Sequence, residues 1–94
     1  MGTLKGKRAF VSGASQGIGA AIAEALVDAG ADVCLHYFQS DATPRALAEK
    51  AKTAGQRALV LQGDLRKEAE AKDVVEQATE FLGGLDVLIN NAGS

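Results

Sequence analysis

Apolar and polar positions along this chain switch repeatedly between two periods. The run KRAFVS (Lys7 to Ser12) is short and apolar and breaks off in a glycine-rich turn, which predicts a strand. Ile18, Ala21, Ile22, Ala25 and Leu26 then recur at helical spacing and predict the buried face of a helix that Gly30 ends. DVCLHY (Asp32 to Tyr37) predicts a second strand. A second helix follows, with Thr43 as N-cap, Pro44 at its first position and Gly55 at its far end. RALVLQ (Arg57 to Gln62) predicts the third strand, and Val74, Val75, Ala78, Phe81 and Leu82 mark one face of a third helix closed by Gly83 and Gly84. LDVLIN (Leu85 to Asn90) predicts the fourth strand. The pattern is βαβαβαβ, the grammar of an α/β protein with a parallel sheet, helices on its faces and right-handed crossovers.

Composition narrows the function classes. With 94 residues there is room for one small domain, and 47% apolar against 23% charged residues is a soluble, globular balance. The net charge of −2 comes with no basic patch, so a nucleic-acid partner is not expected. No apolar stretch reaches membrane-spanning length, and the polar, lysine-containing start does not resemble a secretory signal. The expectation is a cytoplasmic protein with no membrane partner. Cys34 is the only cysteine, so an internal disulfide is excluded, and its place in an apolar run predicts a buried, inert thiol. His36 is the only histidine, and with one His and one Cys no metal site is expected; a surface or sheet-face histidine is the reading.

The candidate chemistry lies in SGASQGIGAA, where Gly13, Gly17 and Gly19 separate the first strand from the first helix. Glycine there lets backbone pass close to a neighbour. The first helical turn adds unpaired N–H groups and the positive end of the helix dipole, an anion site suited to a pyrophosphate. The spacing is Gly-x-x-x-Gly-x-Gly, which is neither Gly-x-Gly-x-x-Gly nor a P-loop.

That spacing resembles the Thr-Gly-x-x-x-Gly-x-Gly cofactor motif of the short-chain dehydrogenase/reductase family, with Ser12 in the place of the threonine. Two further stretches resemble the same family: GDL (Gly63 to Leu65) after the third strand, and NNAG (Asn90 to Gly93) after the fourth. The resemblance implies a Rossmann-like, doubly wound parallel sheet of which this is the first half, with strand order 3-2-1-4. It implies that Gly13, Ser15, Gln16, Gly17, Ile18 and Gly19 hold the dinucleotide, that Asp64 and Leu65 lie at the adenine, and that Asn91, Ala92 and Gly93 brace the sheet and line the cleft. A helix N-terminal carboxylate is the competing, purely structural reading of Asp64.

Cofactor choice turns on the end of the second strand, where an acid would hold the ribose 2′-OH of NAD. That place falls near Tyr37, and HYFQS contains no carboxylate before Asp41. The absence of an acid favours NADP(H) and leaves NAD(H) possible, with Phe38 and Gln16 standing where NADP-preferring members often carry a basic residue and Gln39 and Ser40 able to donate neutral hydrogen bonds. The family's reaction is hydride transfer to or from a small carbonyl or alcohol, with a tyrosine, a lysine four residues on and a serine as catalytic groups. Here the only tyrosine is Tyr37 and Asp41 stands four residues later, so no catalytic residue is assigned. The resemblance, closest in type to 3-oxoacyl-carrier-protein reductases, also implies a homo-oligomer, dimer or tetramer. Residues 1–94 read as the first part of one NAD(P)-binding domain that stops before its catalytic half. The alternative is an isolated nucleotide-binding half-domain or assembly fragment without catalysis.

Overall fold

The computed structural model describes residues 3–91. Seven elements follow one another: β1 (Arg8–Ser12), α1 (Gly17–Asp28), β2 (Asp32–Tyr37), α2 (Ala42–Thr53), β3 (Ala58–Gln62), α3 (Glu68–Leu82) and β4 (Val87–Asn90). The strands form one parallel sheet in the order β3-β2-β1-β4. Arg8 pairs with Asp32, Tyr37 with Gln62 and Ser12 with Asn90, so the carboxyl ends of all four strands share one edge. The order runs outward from β1 to β3 and then returns to place β4 on the other side of β1. This reversal is the switch point where open α/β sheets form a crevice.

Alternation along the strands divides the core into two layers. Ala9, Val11, Val33 and Leu35 pack with Leu26, Val27, Leu47 and Ala51 of α1 and α2. Phe10, Cys34 and Leu61 face the other way, onto Val74, Ala78 and Leu82 of α3. Cys34 is buried as expected, and desolvation pushes its thiol up to about 12. Helices α1 and α2 end alike. The N–H groups of Gly30 and Ala31 bond back to Val27 and Leu26 at 3.1 Å each, and those of Gly55 and Gln56 to Lys52 and Ala51. Arg57 closes α3, its guanidinium donating to the Phe81 and Leu82 carbonyls at 2.9 and 3.1 Å.

Three local expectations are corrected. The inward face of α1 is Gly19, Ala23, Leu26 and Val27, while Ala21 and Ala25 are exposed and Ile18 is 71% exposed. Apart from Glu24, every position from Ile18 to Val27 is apolar or glycine, so the period alone fits several faces. The close approach of Gly19 to the turn after β1 selects one of them. On α3, Val74, Ala78 and Leu82 are buried but Val75 is 54% exposed, beside Leu85 and Leu88 in a small apolar cleft. Helix α2 begins at Ala42 with Asp41 at its N-cap, not at Thr43. Pro44 therefore stands third in the helix, where a missing N–H still costs nothing because the first four have no intrahelical acceptor.

Candidate functional site

Three of the four strand ends converge on one cleft of about 290 Å³. Gly13, Ser15 and Gln16 reach it from the turn after β1, Phe38, Gln39 and Ser40 from the turn after β2, and Asn91 from the end of β4. Gln16 is the N-cap of α1 in extended conformation, and no acidic residue occupies the helix's first turn. The positive end of α1 therefore opens on the cleft without a compensating carboxylate.

The turn after β1 is held from three sides. The Asn91 backbone N–H donates to Ser12 Oγ at 2.9 Å, and Asn91 Nδ2 donates to the Gly13 carbonyl at 3.2 Å. Ser12 Oγ lies 3.3 Å from the Ile89 carbonyl and 3.2 Å from Asn90 Oδ1. The hydroxyl that replaces the family's threonine thus ties β1 to the end of β4. Ser15 Oγ donates to the Ser40 carbonyl, joining the first turn to the second.

The glycines serve different needs. A Cβ at Gly19 would stand 2.0 Å from the Gly13 carbonyl oxygen and 2.6 Å from Asn91 Nδ2. Gly19 is buried, and its job is the close contact between α1 and the turn. Gly17 is exposed, with φ +60 and nothing within 4 Å of a built Cβ. Its backbone conformation, not space, favours glycine there.

The other predicted residues that the structure describes are not among those lining this cleft. Ile18 lies exposed in the first turn of α1. Tyr37 is 7% exposed and is not among the cleft's lining residues; its neighbours Phe38, Gln39 and Ser40 are. Asp64 and Leu65 lie beyond the end of β3. Asp64 is not the helix cap, since Lys67 takes that position. Its Oδ1 accepts from the Arg66 N–H and Nε at 3.0 and 2.9 Å, and Oδ2 from Arg66 Nη2 at 3.0 Å. Those bonds from Arg66 hold the Asp64 carboxyl down to about 2. Arg66 also stands 5.5 Å over the ring of Phe38, so a cation reaches the cleft's aromatic wall from a neighbouring loop. Leu65 packs against the α3 side of the core. Ala92 and Gly93 lie outside the described residues.

His36 is neither at the surface nor idle. It is 1% exposed, and both ring nitrogens are engaged. Nδ1 accepts from the Gly13 N–H at 3.1 Å, and Nε2 stands 2.7 Å from the Gly63 carbonyl. Among the described residues no group of three His, Cys, Asp or Glu side chains could hold a metal, and no helix is long and apolar enough to cross a membrane.

A family model for short chain dehydrogenases matches residues 7–94, and the chain belongs to that family. An uncharacterised oxidoreductase of Methylorubrum extorquens is 46% identical over 99% of this chain and 38% of its own length. An L-rhamnose 1-dehydrogenase (NAD(P)(+)) of a Sphingomonas species is 40% identical over 99% of this chain and 37% of its own. A 3-oxoacyl-[acyl-carrier-protein] reductase of Staphylococcus epidermidis is 37% identical over 93% and 36%. Among solved structures, a short chain dehydrogenase from Burkholderia cenocepacia in complex with NADP superposes with a TM-score of 0.89 at 42% identity, over 98% of this chain and 38% of that one. The chain therefore spans somewhat over a third of the length of the relatives it matches.

Proposed function

We propose that the intact protein is an NADP(H)-dependent oxidoreductase acting on a small carbonyl or alcohol substrate, and that residues 1–94 hold the adenosine and pyrophosphate part of the cofactor. The observation that carries this reading is the cleft at the carboxyl edge of the sheet. Its lining residues are all neutral, and the N-terminus of α1 opens into it. The cofactor, when bound, supplies hydride chemistry; this chain's residues bind and orient it. In this reading the N–H groups at the start of α1 receive the pyrophosphate, and Ser15, Gln39 and Ser40 lie where a ribose and its substituent would be met. A carboxylate there would repel a 2′-phosphate, and the lining has none, which favours NADP(H) over NAD(H). The Asp64–Arg66 pair, with Leu65 beside it, stands on the adenine side, and Asn91 closes the cleft from β4; Ala92 and Gly93 are assigned to the cofactor by their motif alone.

Tyr37 is followed four residues later by Asp41, so the family's tyrosine–lysine pair is not within these 94 residues, and we place catalysis elsewhere in the protein. We carry a cytoplasmic, homo-oligomeric protein forward as part of the same proposal. The test is a titration of the intact protein with NADPH and NADH, read by the fluorescence of the bound reduced nicotinamide. NADPH should bind tighter by about tenfold, the scale of one hydrogen bond from Gln39 or Ser40 to the charged 2′-phosphate. The variant Phe38→Asp should erase or reverse that preference. Equal affinities in the unaltered protein would contradict the NADP reading, and no binding of either would remove the dinucleotide reading.

A further inference from the structure

We propose that His36 is a positioning residue for the dinucleotide, linking the turn that receives the pyrophosphate to the turn on the adenine side. The inference rests on the cofactor reading above and adds a residue that none of the three sequence motifs contains.

The geometry is specific. The imidazole lies on the α3 face of the sheet, since its neighbours Leu35 and Tyr37 point to the opposite face. Nδ1 accepts the Gly13 N–H at 3.1 Å. An acceptor at Nδ1 fixes the ring hydrogen on Nε2, which then donates to the Gly63 carbonyl at 2.7 Å. The backbone carbonyl of the same residue accepts the next N–H of the glycine turn, that of Ala14, at 2.8 Å. One residue of β2 therefore satisfies two successive N–H groups of the turn after β1 and grips the first residue of Gly63-Asp64-Leu65 after β3.

These bonds decide what the glycine turn presents. With its N–H on His36 and its carbonyl on Asn91 Nδ2, Gly13 has both flanking peptides fixed. The inward N–H groups of the turn are spent on the protein. The N–H groups at the start of α1, which have no intrahelical acceptor, are the ones left facing the cleft. A ring at 1% exposure cannot exchange these partners for water, so removing either acceptor or donor leaves a buried backbone group unmatched.

Two substitutions separate the two ends of the ring. An asparagine places a side-chain oxygen near the position of Nδ1 and nothing at Nε2; a glutamine reaches the Nε2 position and leaves Nδ1 empty. In the intact protein, His36→Gln should weaken NADPH about tenfold, the equivalent of one buried hydrogen bond, and leave adenosine 2′-phosphate within about twofold. His36→Asn keeps the Gly13 bond and loses the Gly63 one, so it should weaken adenosine 2′-phosphate and, because NADPH carries the same moiety, NADPH by a similar factor. A merely structural histidine would move both ligands together in both variants. His36→Phe, if it folds, should lose both; if it does not fold, the Asn and Gln pair still decides. Parallel losses of both ligands in His36→Gln, or no loss in either variant, would overturn the role of His36. Failure of the unaltered protein to bind NADPH would instead overturn the cofactor reading on which that role rests.

Discussion

Replacing Gly19 by alanine tests the close contact between α1 and the turn after β1. The added methyl would stand 2.0 Å from the Gly13 oxygen and 3.0 Å from its carbonyl carbon. Relaxed contact needs about 3.5 Å, so the Gly13 peptide must retreat by more than about 1 Å. Retreat breaks the 3.2 Å bond from Asn91 Nδ2 and strains the one from the Gly13 N–H to His36. Overpacking of this kind costs about 1–3 kcal/mol, and the lost hydrogen bond adds about 1 kcal/mol. Gly19→Ala should therefore destabilise the fold by about 2–4 kcal/mol, a large share of a small domain's stability. Gly17→Ala is the control: its methyl meets nothing, and only the left-handed backbone opposes it, at about 1–2 kcal/mol. Urea unfolding followed by circular dichroism reads both. A Gly19→Ala protein as stable as the unaltered one, or a larger loss from Gly17→Ala, would refute the assignment of Gly19 to close packing.

Other expectations follow from the same contacts. Asp64, held at about 2 by Arg66, should contribute stability that is fully present above its unfolded value of about 3.9 and is lost as pH falls through about 2. The difference in urea midpoint between the unaltered protein and Asp64→Asn should accordingly be constant above about pH 5 and shrink below about pH 4; a difference that grows on acidification would contradict the pairing. Arg57→Ala removes the cation that closes α3 through the Phe81 and Leu82 carbonyls, and a loss of about 1–2 kcal/mol should appear in the same unfolding curves. Cys34, buried and with its thiol pushed up to about 12, should resist a disulfide reagent at pH 8 until the chain is unfolded in urea; prompt labelling of the folded protein would contradict its burial.

The architecture was legible because its signals are local. Apolar runs of strand length, glycines at helix ends and the spacing of Gly13, Gly17 and Gly19 predict the element order and the place of the turn, and the structure carries each of them. The motif of Asn91 marked it for the cleft, but its bonds to Ser12 and Gly13 in the glycine turn were not read from the sequence. Other features depend on partners far away in sequence. The imidazole of His36 meets residues 23 and 27 positions distant, and nothing in HYFQS reports them. Arg66 reaches the Phe38 ring from another loop, so the sequence reading of a cleft edge without a cation missed a charge close by. The rotation of α1 was hidden for a different reason: its apolar positions run almost all the way round, and a steric contact at Gly19 chose the face.

The central claim is that the three turns at the carboxyl edge of the sheet receive one dinucleotide. The most direct test is a titration of the isotope-labelled intact protein with NADP, followed through backbone amide shifts. The account predicts that the amides of Gly13, Ser15, Gln16, Gly17, Gln39, Ser40 and Asn91 move together with one dissociation constant. Saturable binding that leaves those amides in place and moves others would contradict it.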